Sequence, residues 1–145
     1  MFNIQYLDEK NEKKWVWQTS WGLTTRSIGI MIMVHGDDQG LVLPPRIAKV
    51  QVVIVPVIFK DSEKDKLVAK AKELEEELNK AGVRAKLDDR TNYSPGWKYN
   101  HWELKGVPIR LELGPKDLEK QEVRCVKRFD GSKAQLKMAD LGAQV

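Results

Sequence analysis

The run "VQVVIVPVIF" at residues 50–59 restricts the fold more than any other part of this chain. It is apolar and mostly β-branched, with one polar interruption at Gln51. A strand with one wet face alternates polar and apolar side chains, whereas a continuous apolar strand needs cover on both faces. The cover follows directly in the chain. Residues 61–82 place Leu67, Ala71, Leu74, Leu78 and Ala81 at three- and four-residue steps, which gives a helix with one apolar stripe. Asp61 or Ser62 is suited to cap its start, because a side-chain oxygen there accepts a free backbone N–H. Gly82 is suited to end it in a left-handed turn. Next come a strand in "VRAKLDDR", a helix in "SPGWKYNHWELKG" with Pro95 near its start, and strands in "VPIRLEL" and "EVRCVKRF". Strand, helix, strand, helix, strand predicts an α/β fold: a mixed, mostly parallel sheet flanked by helices.

The first 35 residues have another character. They are rich in Trp, Thr and Met and end in the apolar run "IGIMIMVHG". Asp37, Asp38, Gly40, Pro44 and Pro45 then punctuate the chain, so residues 36–50 read as a loop or linker. Neither proline allows a helix to continue through it. Three parts are therefore expected: 1–35, a join at 36–50, and the α/β unit at 51–145. A chain of 145 residues is long enough for one real core. No apolar run is long enough to span a bilayer, and the first residues are too polar for a secretory signal. The single Cys125 cannot form an internal disulfide and fits a reducing compartment, the cytoplasm. With two His and one Cys, a protein metal site is not expected.

The formal charge of +4 tilts weakly toward polyanions, and its distribution says more. Residues 61–82 carry seven acids against five bases, while residues 98–133 carry nine bases against six acids. In the basic half, "NHWELKGVPIRLELGPKD" sets Glu103 on a helix, Arg110 on a strand and Lys116 just beyond it. Such a trio reads either as a solvated surface or as a reader of guanine. A carboxylate accepts from guanine N1–H and N2–H while a cation donates to O6 or N7. A second string, "WQTSWGLTTRSIG" at residues 17–29, passes through Gly22 into a helix start with Thr24, Thr25 and Arg26. A base in the first turn opposes the helix dipole, so an external anion would explain it. A core-packing turn whose arginine reaches solvent is the alternative. Trp97 and Trp102, five residues apart, cannot share a helix flank, so at least one belongs to a core. Tyr93 and Tyr99 read as base-stacking or packing residues. Asp88, Asp89 and Arg90 read either as a capping turn or as a group that orients RNA, and Cys125 reads as a buried strand residue.

The string at 17–29 resembles the third signature motif of class II aminoacyl-tRNA synthetases, in its prolyl-tRNA synthetase form. "HGDDQGLVLPPRIAKVQVVIVP" resembles that family's passage from catalytic to anticodon-binding domain, and "SPGWKYNHWELKGVPIRLELGPKDL" its anticodon-binding domain. The likeness runs from about Trp15 to about Lys133 and is nearest the eukaryotic and archaeal branch. It implies a class II anticodon-binding domain preceded by a short remnant of the antiparallel-sheet catalytic domain. By the resemblance, Arg26 matches the arginine that holds the ATP phosphates, Thr24 lies beside the nucleotide, and Gly22 lets adenine and ribose approach. Ser20, Trp21 and Gly22 match the proline pocket. Glu103, Arg110 and Lys116 match the positions that contact the two guanines of proline anticodons, as does Lys133, where the spacing shifts by one residue.

The family's first two signature motifs are not in this chain. The resemblance thus implies part of a proline–tRNA ligase that supplies recognition of proline tRNA and is inactive alone. The longer enzyme uses proline, ATP and Mg and is a homodimer. No cofactor is expected on this chain's own residues. The competing reading is an anticodon-binding-like domain acting as a protein-interaction module.

Overall fold

The computed structural model describes residues 2–58, 64–139 and 141–145. The apolar run forms β3 (Val52–Pro56), buried along its whole length. Two further strands of the chain's first part, β1 (Gln5–Leu7) and β2 (Lys13–Trp15), pair as an antiparallel hairpin. After β3 come α2 (Lys64–Lys80), β4 (Ala85–Leu87), α3 (Pro95–Leu104) and β5 (Ile109–Leu113). They are followed by α4 (Pro115–Lys120), β6 (Glu122–Lys127), β7 (Lys133–Lys137) and α5 (Leu141–Gln144). The helix α1 (Arg26–His35) lies between β2 and β3 in the chain. Five strands form one sheet in the order β4-β3-β5-β6-β7. β3 pairs parallel with β4 and β5, and β6 pairs antiparallel with β5 and β7. Four strands therefore run one way and β6 alone opposes them, the mixed, mostly parallel sheet expected.

The two faces of this sheet are covered differently. On one, Val52, Ile54, Leu111, Leu113, Val123 and Cys125 meet Leu67, Ala71, Leu74 and Leu78 of α2 in the main core. On the other, Val53 and Val55 meet Trp102 of α3 and Val107. Both faces of β3 are thus apolar because each has a helix on it. Local signals placed the helix ends. Ser94 Oγ accepts from Trp97 N–H at 3.3 Å and Pro95 fills the first turn of α3. Gly82 closes α2 with φ of +86°, where a side chain would be strained. The caps expected at Asp61 and Ser62 lie outside the described residues.

The short α4 and β7 carry too little periodicity to be legible in sequence. α4 holds because Asp117 Oδ2 accepts from Gly114 N–H at 3.0 Å, and β7 because β6 supplies its hydrogen-bond partners. The join at 36–50 contains no helix, yet it is pinned to the α/β unit. Leu41 N–H donates to the Leu104 carbonyl and Leu43 N–H to that of Gly106, each at 3.1 Å. Gly106 stands at φ +69° with Leu41 so near that an added Cβ would lie 2.7 Å from it. Arg84 reaches back to the carbonyls of Ala48, Pro45 and Arg46. Residues 2–35 make no comparable core: α1 buries none of its residues, and Ile28, Ile30 and Val34 are all more than half exposed. Among the described residues, no helix is long and apolar enough to cross a membrane.

Leu74 is 1% exposed at the centre of the main core. Leu74→Ala should cost about 2–5 kcal/mol, the transfer energy plus a residual cavity. Urea unfolding of the two proteins checks this, and a midpoint shift without a change of slope is the expected form.

Candidate nucleic-acid interface

α3 sits across β3 like a ridge with two flanks. Lys98 and Trp102 point down and are buried. Trp97, His101 and Lys105 recur at four-residue steps on the flank over β4, and Tyr99 and Glu103 lie on the flank over β5. What seats the ridge is Asp88, 2% exposed, at the end of β4. Its carboxylate accepts from Trp102 Nε1 at 2.8 Å and from Arg90 Nε and Nη2 at 2.8 and 2.6 Å. Its carbonyl accepts from Lys98 Nζ at 3.1 Å. Burial alone would raise the Asp88 pKa. The bonds from Arg90 and Trp102 and the charge of Lys98 outweigh it and hold the group at about 2. These contacts make Asp88 a buried anchor and Arg90 its partner, a role that neither the capping-turn nor the RNA-orienting reading included.

Strand pairing lines up a row on this face. Lys86 of β4 pairs with Val53, Val53 with Arg110, Arg110 with Val126, and Val126 with Lys133. Directly opposed residues point to the same face of a sheet, so Arg110 and Lys133 share it two strands apart, roughly 10 Å. The next row holds Glu112, Arg124 and Gln135. α3 covers β3 and reaches β5, and beyond it Arg124, Lys133, Gln135 and Lys137 are exposed.

Glu103 and Arg110 meet at the foot of the ridge. Arg110 Nη1 donates to Glu103 Oε1, and its Nε donates to Glu112 Oε1 at 3.0 Å. The guanidinium also lies 4.2 Å from the centre of the Tyr99 ring. Burial first, and then the Glu112 charge, push the Tyr99 hydroxyl up to about 12, so it stays a neutral donor. Arg110 is thus held on three sides, with only 11% of its side chain exposed, while Glu103 keeps 34%. The backbone of Glu103 is fixed as well, because its carbonyl accepts from Arg128 Nε at 3.1 Å and from Gly106 N–H at 2.9 Å. Arg128 in turn grips Asp37 with both terminal nitrogens, at 2.7 and 2.6 Å. That fork and its hydrogen bonds hold Asp37 at about 2.

Of the four residues expected to read guanine, the structure therefore gathers Glu103, Arg110 and Lys133 on one face. Lys116 stands apart, on α4 beyond the C-terminal end of β5, whereas Arg110 is near the strand's start. Sequence reasoning missed Glu112, Arg128 and Asp37. The two-residue step from Arg110 to Glu112 on a strand could have revealed the first. Nothing local signals the others, which meet across the fold.

The residues at 20–26 do not fit ATP in this chain. Thr24 Oγ1 accepts from Arg26 N–H at 3.3 Å and the first turn of α1 holds no acid. Yet Trp21 is 95% exposed, and no described atom lies within 4 Å of a Cβ added at Gly22. A nucleotide or a proline placed there would have a wall on one side only. Among the described residues, no group of three His, Cys, Asp or Glu side chains is arranged to hold a metal ion. Cys125 is buried in β6, and burial pushes its thiol up.

Residues 51–145 match the family described as anticodon binding domain. The cytoplasmic proline–tRNA ligase of Arabidopsis thaliana is 51% identical over 141 residues, which are 97% of this chain and 27% of that protein. The chloroplastic/mitochondrial proline–tRNA ligase of the same plant is 50% identical over 92% of this chain and 24% of its own length. The bifunctional glutamate/proline–tRNA ligase of Drosophila melanogaster is 53% identical over the whole chain and 9% of its own length. A crystal structure of prolyl-tRNA synthetase from Cryptosporidium parvum, complexed with L-proline and AMP, superposes with a TM-score of 0.80 and 54% identity. It covers 99% of this chain, which spans 31% of that one.

Asp88 has its pKa depressed by folding, so its stabilisation is present above the unfolded value near 3.9 and is lost as pH falls toward 2. Asp88→Asn should be less stable than the parent at neutral pH by on the order of 2 kcal/mol. The gap should close between about pH 4 and pH 2. Urea titrations across that range test the assignment, and a gap that does not change with pH contradicts it.

Proposed function

This chain belongs to the anticodon-binding domain family, as found in prolyl-tRNA synthetases, and from that premise we propose that it recognises the anticodon loop of proline tRNA. The observation that carries the proposal is the Glu103–Arg110 pair at the foot of α3, open toward the basic half of the sheet. Glu103 reads the Watson–Crick edge of a splayed guanine, accepting from N1–H and N2–H. Arg110 holds that carboxylate in place through its Nη1 bond, and offers its remaining N–H groups toward O6. Lys133, two strands away, meets the backbone or the neighbouring guanine. Lys116 serves as a phosphate contact at the far end of β5, since its ammonium acts as a point charge and needs no fixed fork.

In the longer protein this region accompanies ATP- and Mg-dependent attachment of proline to its tRNA, in the cytoplasm and as a homodimer. Ser20, Trp21, Gly22, Thr24 and Arg26 are its contribution to the proline and nucleotide site. ATP, when bound, would supply the adenylyl group that activates the proline carboxylate, with pyrophosphate leaving, and this chain's part would be a helix start and one cation. Alone, the chain is inactive, because stabilising adenylyl transfer and its pyrophosphate leaving group takes several converging charges.

Two outcomes follow. Glu103→Ala should weaken binding of a proline-tRNA anticodon hairpin by about 1–3 kcal/mol and leave a hairpin without anticodon guanines nearly unaffected. Fluorescence anisotropy at two salt concentrations measures both, and equal losses on the two hairpins remove the base-reading role. Proline-dependent ATP–pyrophosphate exchange by the chain alone should not rise above background. Turnover there overturns the assignment of activity to the longer protein.

A further inference from the structure

The flank of α3 that faces away from Glu103 carries a stack of rings. Tyr93 and Trp97 lie 3.8 Å apart between centroids with planes 12° from parallel, and Trp97 and His101 lie 4.9 Å apart at 18°. Arg90 stands 5.1 Å from the centres of both Tyr93 and Trp97. The stack is wet: Trp97 is 41% and Tyr93 38% exposed. Large aromatic side chains are normally buried in a core, and Trp102, one turn on from Lys98, shows that this helix has a core position for one. An exposed stack is therefore an addition to the packing of α3.

At its far end the stack runs into a cavity of about 280 Å3 lined by Lys86, Asp88, Arg90, His101 and Lys105, among others. The ammonium groups of Lys86 and Lys105 stand 5.8 and 5.2 Å from the Trp102 ring. Asp88 is buried and committed to Arg90 and Trp102, which leaves Asp89 as the exposed acid against two exposed lysines. Burial, Lys105 and Arg90 each lower the His101 pKa, so the ring is neutral at physiological pH and acts as a stacking surface.

We propose that this flank binds unpaired RNA, with a nucleobase continuing the Tyr93–Trp97–His101 stack and a phosphate held between Lys86 and Lys105. The 3.8 Å between Tyr93 and Trp97 is near the roughly 3.4 Å rise of a stacked strand, and the 4.9 Å between Trp97 and His101 is wider. Rings beside free cations are what a sequence-tolerant single-strand contact requires. An apolar protein partner would use the rings and leave the lysines to solvent, and an acidic one would use the lysines and leave the rings idle. The site goes beyond the guanine reading: it lies over β4, on the opposite side of the ridge, and it recognises no particular base.

The test uses the whole 145-residue chain and a fluorescein-labelled oligoadenylate of ten nucleotides, which contains no guanine. Failure of the guanine reading therefore leaves this experiment untouched. Trp97→Ala should weaken the decamer about tenfold or more, the loss typical of one stacked base. Because Trp97 packs against two rings, a second variant is included that removes no ring: Lys86→Gln with Lys105→Gln. It should weaken the decamer and reduce the slope of log affinity against log salt. A decaglutamate peptide presents charge without bases, so its binding should fall in the lysine variant and not with Trp97→Ala. Unchanged decamer affinity in both variants overturns the proposal. So does a decaglutamate that binds as tightly as the RNA, since the flank would then be an acidic-peptide surface.

Discussion

The carboxylate of Asp88 is the point on which the arrangement of the upper layer depends. It ends β4, receives the indole N–H of Trp102, and neutralises Arg90, so one buried group links a strand, a loop and a helix. A buried carboxylate without partners would take up a proton or disrupt the fold. Here Arg90 and Trp102 partner the carboxylate and Lys98 takes the carbonyl, so two bonds from α3 hold the helix to the end of β4. The helix so held puts Tyr99 and Glu103 over β5 and Trp97 and His101 over β4. Both candidate RNA contacts are consequences of how the ridge is seated.

A second constraint acts from outside the sheet. Arg128 follows β6 and bridges Asp37 of the join to the carbonyl of Glu103 at the end of α3. Gly40 and Gly106, both at positive φ, allow residues 40–43 to lie against the backbone of residues 104–106. A Cβ at either would meet backbone at under 3 Å. The carboxylate proposed to read guanine is therefore tied to the segment that leads back to α1. A displacement of that segment would reach Glu103 through the Asp37–Arg128 ion pair and the hydrogen bond from Arg128 to the Glu103 carbonyl.

The first 35 residues contrast with the rest in the use of apolar side chains. Trp17, Trp21 and Leu23 are nearly fully exposed, and α1 has apolar residues on every side. A helix apolar all round is designed to be covered all round. This matches the likeness to much longer enzymes, of which the chain spans a quarter to a third in the plant and Cryptosporidium proteins. The α/β unit, with cores on both faces of β3, does not show such a deficit.

Much of this was decided locally and could be read from the chain. A continuous β-branched run must lie in the middle of a covered sheet. A stripe at three- and four-residue steps must be a helix, and Ser94 followed by Pro95 must start one. The acid and the bases around β5 were equally visible. Which of them act together was not. Lys116 is only six residues from Arg110, but an extended strand carries it away by about 3.3 Å per residue. Lys133 and Lys86 are far off in sequence and stand in Arg110's own row, because strand order and register bring them there. Distance along a strand separates side chains and pairing across a sheet joins them, and only the tertiary fold sets the pairing.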